Sequence, residues 1–182
     1  MEAQKTKTGC FIIKPRVIQD ERGYFMESFN ERTFAEKTEV EAHFVQDNQS
    51  FSSKGVLRGL HYQTGDHAQA KLVRVLEGEV LDVAVDIRPD SPTFGQYDSV
   101  LLSSENQTQF FVPRGFAHGF LVLSDTAIFF YKCDNFYNKE SEGGLFYNDP
   151  EINIDWQFPM VNLIISEKDQ HLPGLHLAKK VW

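Results

Sequence analysis

The chain has 182 residues, 41% hydrophobic and 24% charged, which suits one globular domain with a substantial core and is short for two. Its net charge of −8 argues against non-specific binding to nucleic acid or an anionic membrane, while leaving room for an anionic small substrate held by a local basic cluster. Two cysteines, Cys10 and Cys133, build no secreted disulfide framework, and no CxxC pair points to zinc.

The first eight residues lack the apolar stretch of a signal peptide. No run approaches the roughly 20 apolar residues of a transmembrane helix, so the expectation is a soluble cytoplasmic protein. Sixteen Phe and six Tyr favour sheet. Strand-like runs with Gly, Pro, Asn and Asp between them predict strands near 11–18, 43–51, 55–63 and 70–76. Only Asn30 to Lys37 reads as helix, with Asn30 as N-cap and Glu31 in the first turn. Glu77-Gly78 reads as a turn into residues 80–88. There Leu81, Val83, Val85 and Ile87 alternate with Asp82, Asp86 and Arg88 on the opposite face. Further strands are predicted near 97–103, 108–113, 118–123 and 126–133, and the tail from Ile152 as short helices and turns. An all-β chain with one helix and many hairpins is most economically a jelly roll, formed by residues 1–182 as one domain.

Two segments carry ionisable groups where strands normally carry Val, Ile and Phe. The first runs from Gly55 to Gln63 and on through Ala70 to Val75, with Arg58, His61, Lys71 and Arg74. An imidazole titrates near neutrality and can serve as a general base, although a lone strand histidine is ordinarily structural. Strict alternation puts Arg58 and His61 on opposite faces, whereas a bulge at Gly59 brings both to one cleft. The second segment, Pro113-Arg114-Gly115-Phe116-Ala117-His118-Gly119-Phe120, resembles the second conserved motif of the cupin jelly rolls, whose histidine is often a metal ligand. The matching first motif fails here. Counting back from Gly78, Lys71 stands where a carboxylate ligand is needed and Gly65 where the first histidine belongs; an ammonium repels a divalent cation.

Tyr131, in the apolar run Ala127 to Cys133, reads by itself as a core tyrosine with a satisfied hydroxyl. Ser166-Glu167-Lys168-Asp169, Glu27, Arg22 and Gln46-Asp47-Asn48 are unremarkable singly.

Taken together, these segments resemble the dTDP-4-dehydrorhamnose 3,5-epimerases, from about Phe11 to Pro173. The resemblance rests on Gln46 to Ser50, Gly55 to Gln63, Ala70 to Val75, Asp82 to Arg88, Ser91 to Gly95, Pro113 to Phe120, Tyr131-Lys132-Cys133, Asn148-Asp149-Pro150 and Ser166 to Asp169. It implies a cupin-like jelly roll acting on a dTDP-sugar. His61 is then the base, oriented by Asp169, Lys71 holds the enolate oxygen, and Tyr131 protonates from the opposite face, as inversion requires. It implies further that Arg58 and Arg22 hold the diphosphate and that Phe25 stacks on thymine. Glu27, Gln46, Asp47, Asn48, His118, Glu142 and Lys168 fall to the substrate pocket. The family implies no metal and no other cofactor, and a homodimer in which one subunit's N-terminal strand joins its neighbour's sheet. One stretch departs from it: Phe146-Tyr147 stands where many relatives carry a charged residue and Trp. The alternatives are a relative that epimerises a single carbon, a metal-dependent cupin oxygenase, and a sugar-binding jelly roll without catalysis.

Overall fold

The computed structural model describes residues 1–182. Its strands form two packed antiparallel layers. The first has the order β1-β2-β10-β7-β12-β5, formed by β1 (Glu2–Lys5), β2 (Phe11–Lys14), β5 (Gln46–Ser53), β7 (Lys71–Glu77), β10 (Gln109–Val112) and β12 (Thr126–Cys133). The second has the order β13-β6-β11-β8-β9, formed by β6 (Val56–Gln63), β8 (Glu79–Asp86), β9 (Tyr97–Ser103), β11 (Phe116–Val122) and β13 (Glu142–Gly144); β14 (Ile164–Ile165) pairs with β6. Strands β3 (Val17–Asp20) and β4 (Gly23–Met26) make a separate hairpin, and the helices are α1 (Glu31–Thr38) and α2 (Glu167–Gln170). This is the jelly-roll β-sandwich expected of the strand spacing.

Several predicted elements sit where the pattern put them. Strands 97–103 and 126–133 match β9 and β12, and Asn30 caps α1 by accepting the Thr33 N–H at 3.1 Å. The expected strand over 11–18 is instead two. Pro15 lacks a ladder N–H and stands between β2 and the hairpin. The strand expected from residue 43 begins at Gln46, and β1, β4, β13 and β14, too short to show a period, carry no sequence signal. The N-terminal strand β1 pairs with β2 of its own chain and forms that sheet's edge.

The core lies in three clusters. Val73, Val75, Phe110 and Phe129 of the first sheet meet Val80, Ala84, Phe116 and Phe120 of the second. Each fully buried side chain of this size contributes about 1.5–3 kcal/mol of transfer free energy. Helix α1 covers the other face of the first sheet with Phe34 against Phe11, Leu72 and Phe111. The C-terminal tail covers the second, with Ile152, Trp156 and Val181 over Leu57, Leu81, Val83 and Val85. Strand β8 is therefore buried on both sides. Its Asp82 and Asp86 do alternate with the apolar residues, but they point into protein rather than water, both at 0% exposure. No helix is long and apolar enough to cross a membrane.

Candidate active site

Strands β6, β11, β7, β12 and β5 open between the layers into a cleft of about 670 Å3. The decisive local feature is Gly59. Opposite β11, Arg58 pairs with Phe120 and His61 with His118, so two residues of β6 span one of β11, a bulge at that point. Gly59 has φ +126, and a Cβ there would stand 2.6 Å from the Gly119 Cα. Only glycine fits that conformation and that contact. The extra residue cancels the alternation, and Arg58 and His61 both line the cleft.

His61 Nε2 lies 2.7 Å from Asp169 Oδ1, and the other carboxylate oxygen accepts the Gly59 N–H at 3.2 Å. Asp169 is held in place by α2, whose N-cap Ser166 accepts the Asp169 N–H at 3.1 Å. Burial alone pushes the Asp169 carboxyl up. The bond and charge of His61, the Gly59 N–H and the Lys168 charge outweigh it and hold the group below the usual carboxylate range. An ionised carboxylate on Nε2 keeps the proton there and leaves the other ring nitrogen able to accept one.

Lys71 and Tyr131 complete the group. Lys71 Nζ donates to the His61 carbonyl at 3.5 Å and lies 5.9 Å from the centre of the Tyr131 ring. Burial lowers the Lys71 pKa, against the raising effects of Cys133, Asp82 and Glu142. Burial raises that of Tyr131, joined by Cys133 and opposed by Arg58, so the phenol keeps its proton at neutral pH. A second, smaller lobe of about 270 Å3 adjoins the cleft, and Asn48, His61, Lys71 and Tyr131 line both. A base, an ammonium and a proton-bearing phenol at such a junction suit proton transfer at a carbon alpha to a carbonyl.

The comparisons with known proteins agree. Residues 5–176 match the family described as dTDP-4-dehydrorhamnose 3,5-epimerase. The chain belongs to this family. The epimerase named dTDP-4-dehydrorhamnose 3,5-epimerase of Shigella flexneri is 57% identical over 158 residues, covering 87% of this chain and 86% of its own. The crystal structure of dTDP-4-dehydrorhamnose 3,5-epimerase from Elizabethkingia anophelis is 60% identical, with TM-score 0.92 and 96% of each chain covered. That of dTDP-6-deoxy-D-glucose-3,5-epimerase from Legionella pneumophila, in complex with dTDP-4-keto-L-rhamnose, is 50% identical, with TM-score 0.93 over 97% of this chain and 93% of its own. The enzyme class is therefore isomerase.

Other residues expected at this epimerase's site divide by location. Asn48 and His118 line the cleft, and Arg58 is steadied there by donating through Nε to Ser52 Oγ at 3.0 Å. Lys168 lines the cleft and Glu142 the smaller lobe; they join across the mouth at 2.6 Å, tying α2 to β13. Gln46 lines the smaller lobe, accepts the Tyr137 N–H at 3.0 Å and donates to Asn48 Oδ1 at 3.1 Å. Asp47 is not with them. Alternation along β5 turns it outward, where Lys132 Nζ donates to it at 2.9 Å. Arg22 and Phe25 are exposed on the β3–β4 hairpin, Arg22 paired with Asp20, while Glu27 accepts from Asn30 Nδ2 at 3.2 Å; none of the three lines the cleft.

Tyr137, which lines the smaller lobe with its hydroxyl donating to Glu142 Oε2 at 3.4 Å, carried no sequence signal, because it lies in a loop without period. The rings of the atypical pair Phe146-Tyr147 pack against each other at a tilt outside the cleft, and the Tyr147 carbonyl accepts the Trp156 indole N–H at 3.0 Å. No three His, Cys, Asp or Glu side chains converge in a group that could hold a metal ion.

Proposed function

We propose that residues 1–182 work as one jelly-roll domain that inverts C3 and C5 of dTDP-4-dehydro-6-deoxy-D-glucose, giving dTDP-4-dehydro-L-rhamnose. The observation that carries this reading is the junction where His61, Lys71 and Tyr131 face the same space. The ketone at C4 acidifies the protons on both neighbouring carbons. His61 removes one, the electrons move into the carbonyl, and Lys71 stabilises the resulting enolate oxygen. Tyr131 returns a proton to the opposite face of the same carbon, which completes the inversion. The second carbon follows by the same steps once His61 has released its proton to water and Tyr131 has regained one from it. Arg58, with Arg22, takes the diphosphate, where charge-assisted hydrogen bonds are strong. No step calls for a metal or another cofactor.

The enzyme works in this reading as a cytoplasmic homodimer. Support comes from the β3–β4 hairpin, whose Ile18, Tyr24 and Phe25 are exposed although apolar, and whose Arg22 points away from its own cleft. We assign Arg22, Phe25 and Glu27 to the cleft of the neighbouring subunit. Asp47, turned outward, is left without a part in binding.

Proton NMR of the reaction in D2O tests the function. Deuterium at both C3 and C5 of the product is expected. Deuterium at one carbon identifies a single-site epimerase. Binding without exchange identifies a sugar-binding jelly roll, and activity lost on chelation a metal-dependent enzyme.

A further inference from the structure

Asp82 stands in the middle of β8 at 0% exposure, and both its oxygens approach His118 Nε2, at 2.9 and 3.0 Å. A carboxylate so deep is costly unless paired. His118 is its only hydrogen-bond partner, itself buried at 6% exposure and stacked on Phe129. With Asp82 as a carboxylate, the contact places the ring proton on Nε2. His118 Nδ1 makes no hydrogen bond within the chain and is not sealed from solvent, and His118 lines the cleft. The ring is thus gripped from behind and presented at the front.

The same carboxylate acts on Lys71. The groups that face Lys71 are His61 from β6, Tyr131 and Cys133 from β12, Asp82 from β8 and Glu142 from β13, with His118 of β11 bonded to Asp82. No carboxylate lies within ion-pair distance of the Lys71 ammonium, so it has no partner competing with a substrate oxygen. Glu142 is neutralised by Lys168 at 2.6 Å. Asp82 is shared with a histidine and lies in the low-dielectric interior, where its charge reaches Lys71 with little screening.

We propose that Asp82 is a positioning residue of this reaction, holding His118 toward the cleft and supplying the negative charge that keeps Lys71 an ammonium facing the keto oxygen. This rests on the epimerase mechanism above. The carboxylate touches no substrate; its effect passes through the two residues in front of it. Burial pushes the Asp82 carboxyl up and the Lys71 ammonium down; His118 and Lys71 oppose the first, and Cys133, Asp82 and Glu142 oppose the second, so the two groups each offset part of the other's cost of burial.

Asp82→Asn keeps the shape and removes the charge. The expected result is a fall in kcat of about tenfold or more with KM changed less than about threefold, and an alkaline limb of the kcat–pH profile moved toward acid by about half a unit or more. An unchanged kcat, or a lower kcat with an unmoved alkaline limb, overturns the proposal. A measurement on the unaltered enzyme covers the case in which the variant does not fold. Nitrogen-15 NMR of the histidine rings, with His118 assigned by the signal lost in His118→Gln, is expected to show a proton on Nε2 at neutral pH; a bare Nε2 overturns the proposal. If the unaltered enzyme exchanges no substrate protons, it is the epimerase reading that has failed, and the ring measurement still decides the Asp82–His118 contact.

Discussion

His61 and Asp169, separated by 108 positions in the chain, meet at 2.7 Å across the wall of the cleft. The carboxylate comes from a helix of only four residues, yet its position is fixed three times over: by Ser166 capping that helix, by the Gly59 N–H, and by the Lys168–Glu142 bridge beside it. Asp169 is therefore held firmly against His61, and in the mechanism proposed above it orients the base rather than contacting the reacting carbon.

Asp169→Asn should accordingly lower kcat by about 10²–10⁴ with a small effect on KM, since an amide can present its N–H to the ring and favour the wrong tautomer. Steady-state kinetics checks this; a KM effect larger than the kcat effect would assign Asp169 to binding instead.

Tyr131→Phe separates proton removal from inversion. His61 can still take a proton and give it back to the same face, so exchange of substrate protons with D2O should persist. Formation of inverted product should drop by about 10²–10⁴. Proton NMR resolves the two, and parallel loss of exchange and product would assign Tyr131 to an earlier step.

Gly59→Ala puts a Cβ 2.6 Å from Gly119 in a backbone conformation that L residues rarely adopt. The expected cost is about 2–3 kcal/mol of stability by urea denaturation, with loss of activity, because relief of the clash turns Arg58 or His61 out of the cleft. A variant of full stability and full activity would show that the bulge does not set the site.

Acid sensitivity should reside partly in Asp149. Burial raises this carboxyl, but N–H bonds from Leu175, Glu151 and Ile152 and the His176 charge bring it below its ordinary value. The folded pKa lies under the unfolded value of about 3.9, so the stabilisation is complete above that pH and lost as pH falls through the folded pKa. Urea denaturation from pH 5 downward should show a shallower decline in Asp149→Asn than in the unaltered protein. An identical slope would leave the acid response to other carboxylates, among them Asp169 and Glu142, which are also held low.

Much of this protein is legible in its amino-acid sequence. Strands such as Tyr97–Ser103 and Thr126–Cys133 and the Asn30 cap follow from local periodicity and backbone chemistry, which act over a few residues. The family resemblance named His61, Lys71, Tyr131 and Asp169, and Gly59 could be singled out because a glycine inside a strand often marks a bulge. The tertiary structure decided the directions. Whether Arg58 and His61 share a face depends on how β6 registers with β11. Asp82 shares with Val80 and Ala84 the face of β8 that meets the first sheet, while the C-terminal tail covers the opposite face, and it is the packing of the two sheets that buries a carboxylate the alternation alone would leave in water. Asp47 faces out and Asn48 faces in because the register of β5 on β12 sets them opposite Lys132 and Tyr131, not because of anything in their own residue types. Strand faces are relative to neighbours brought together from far along the chain, and local sequence does not carry that information.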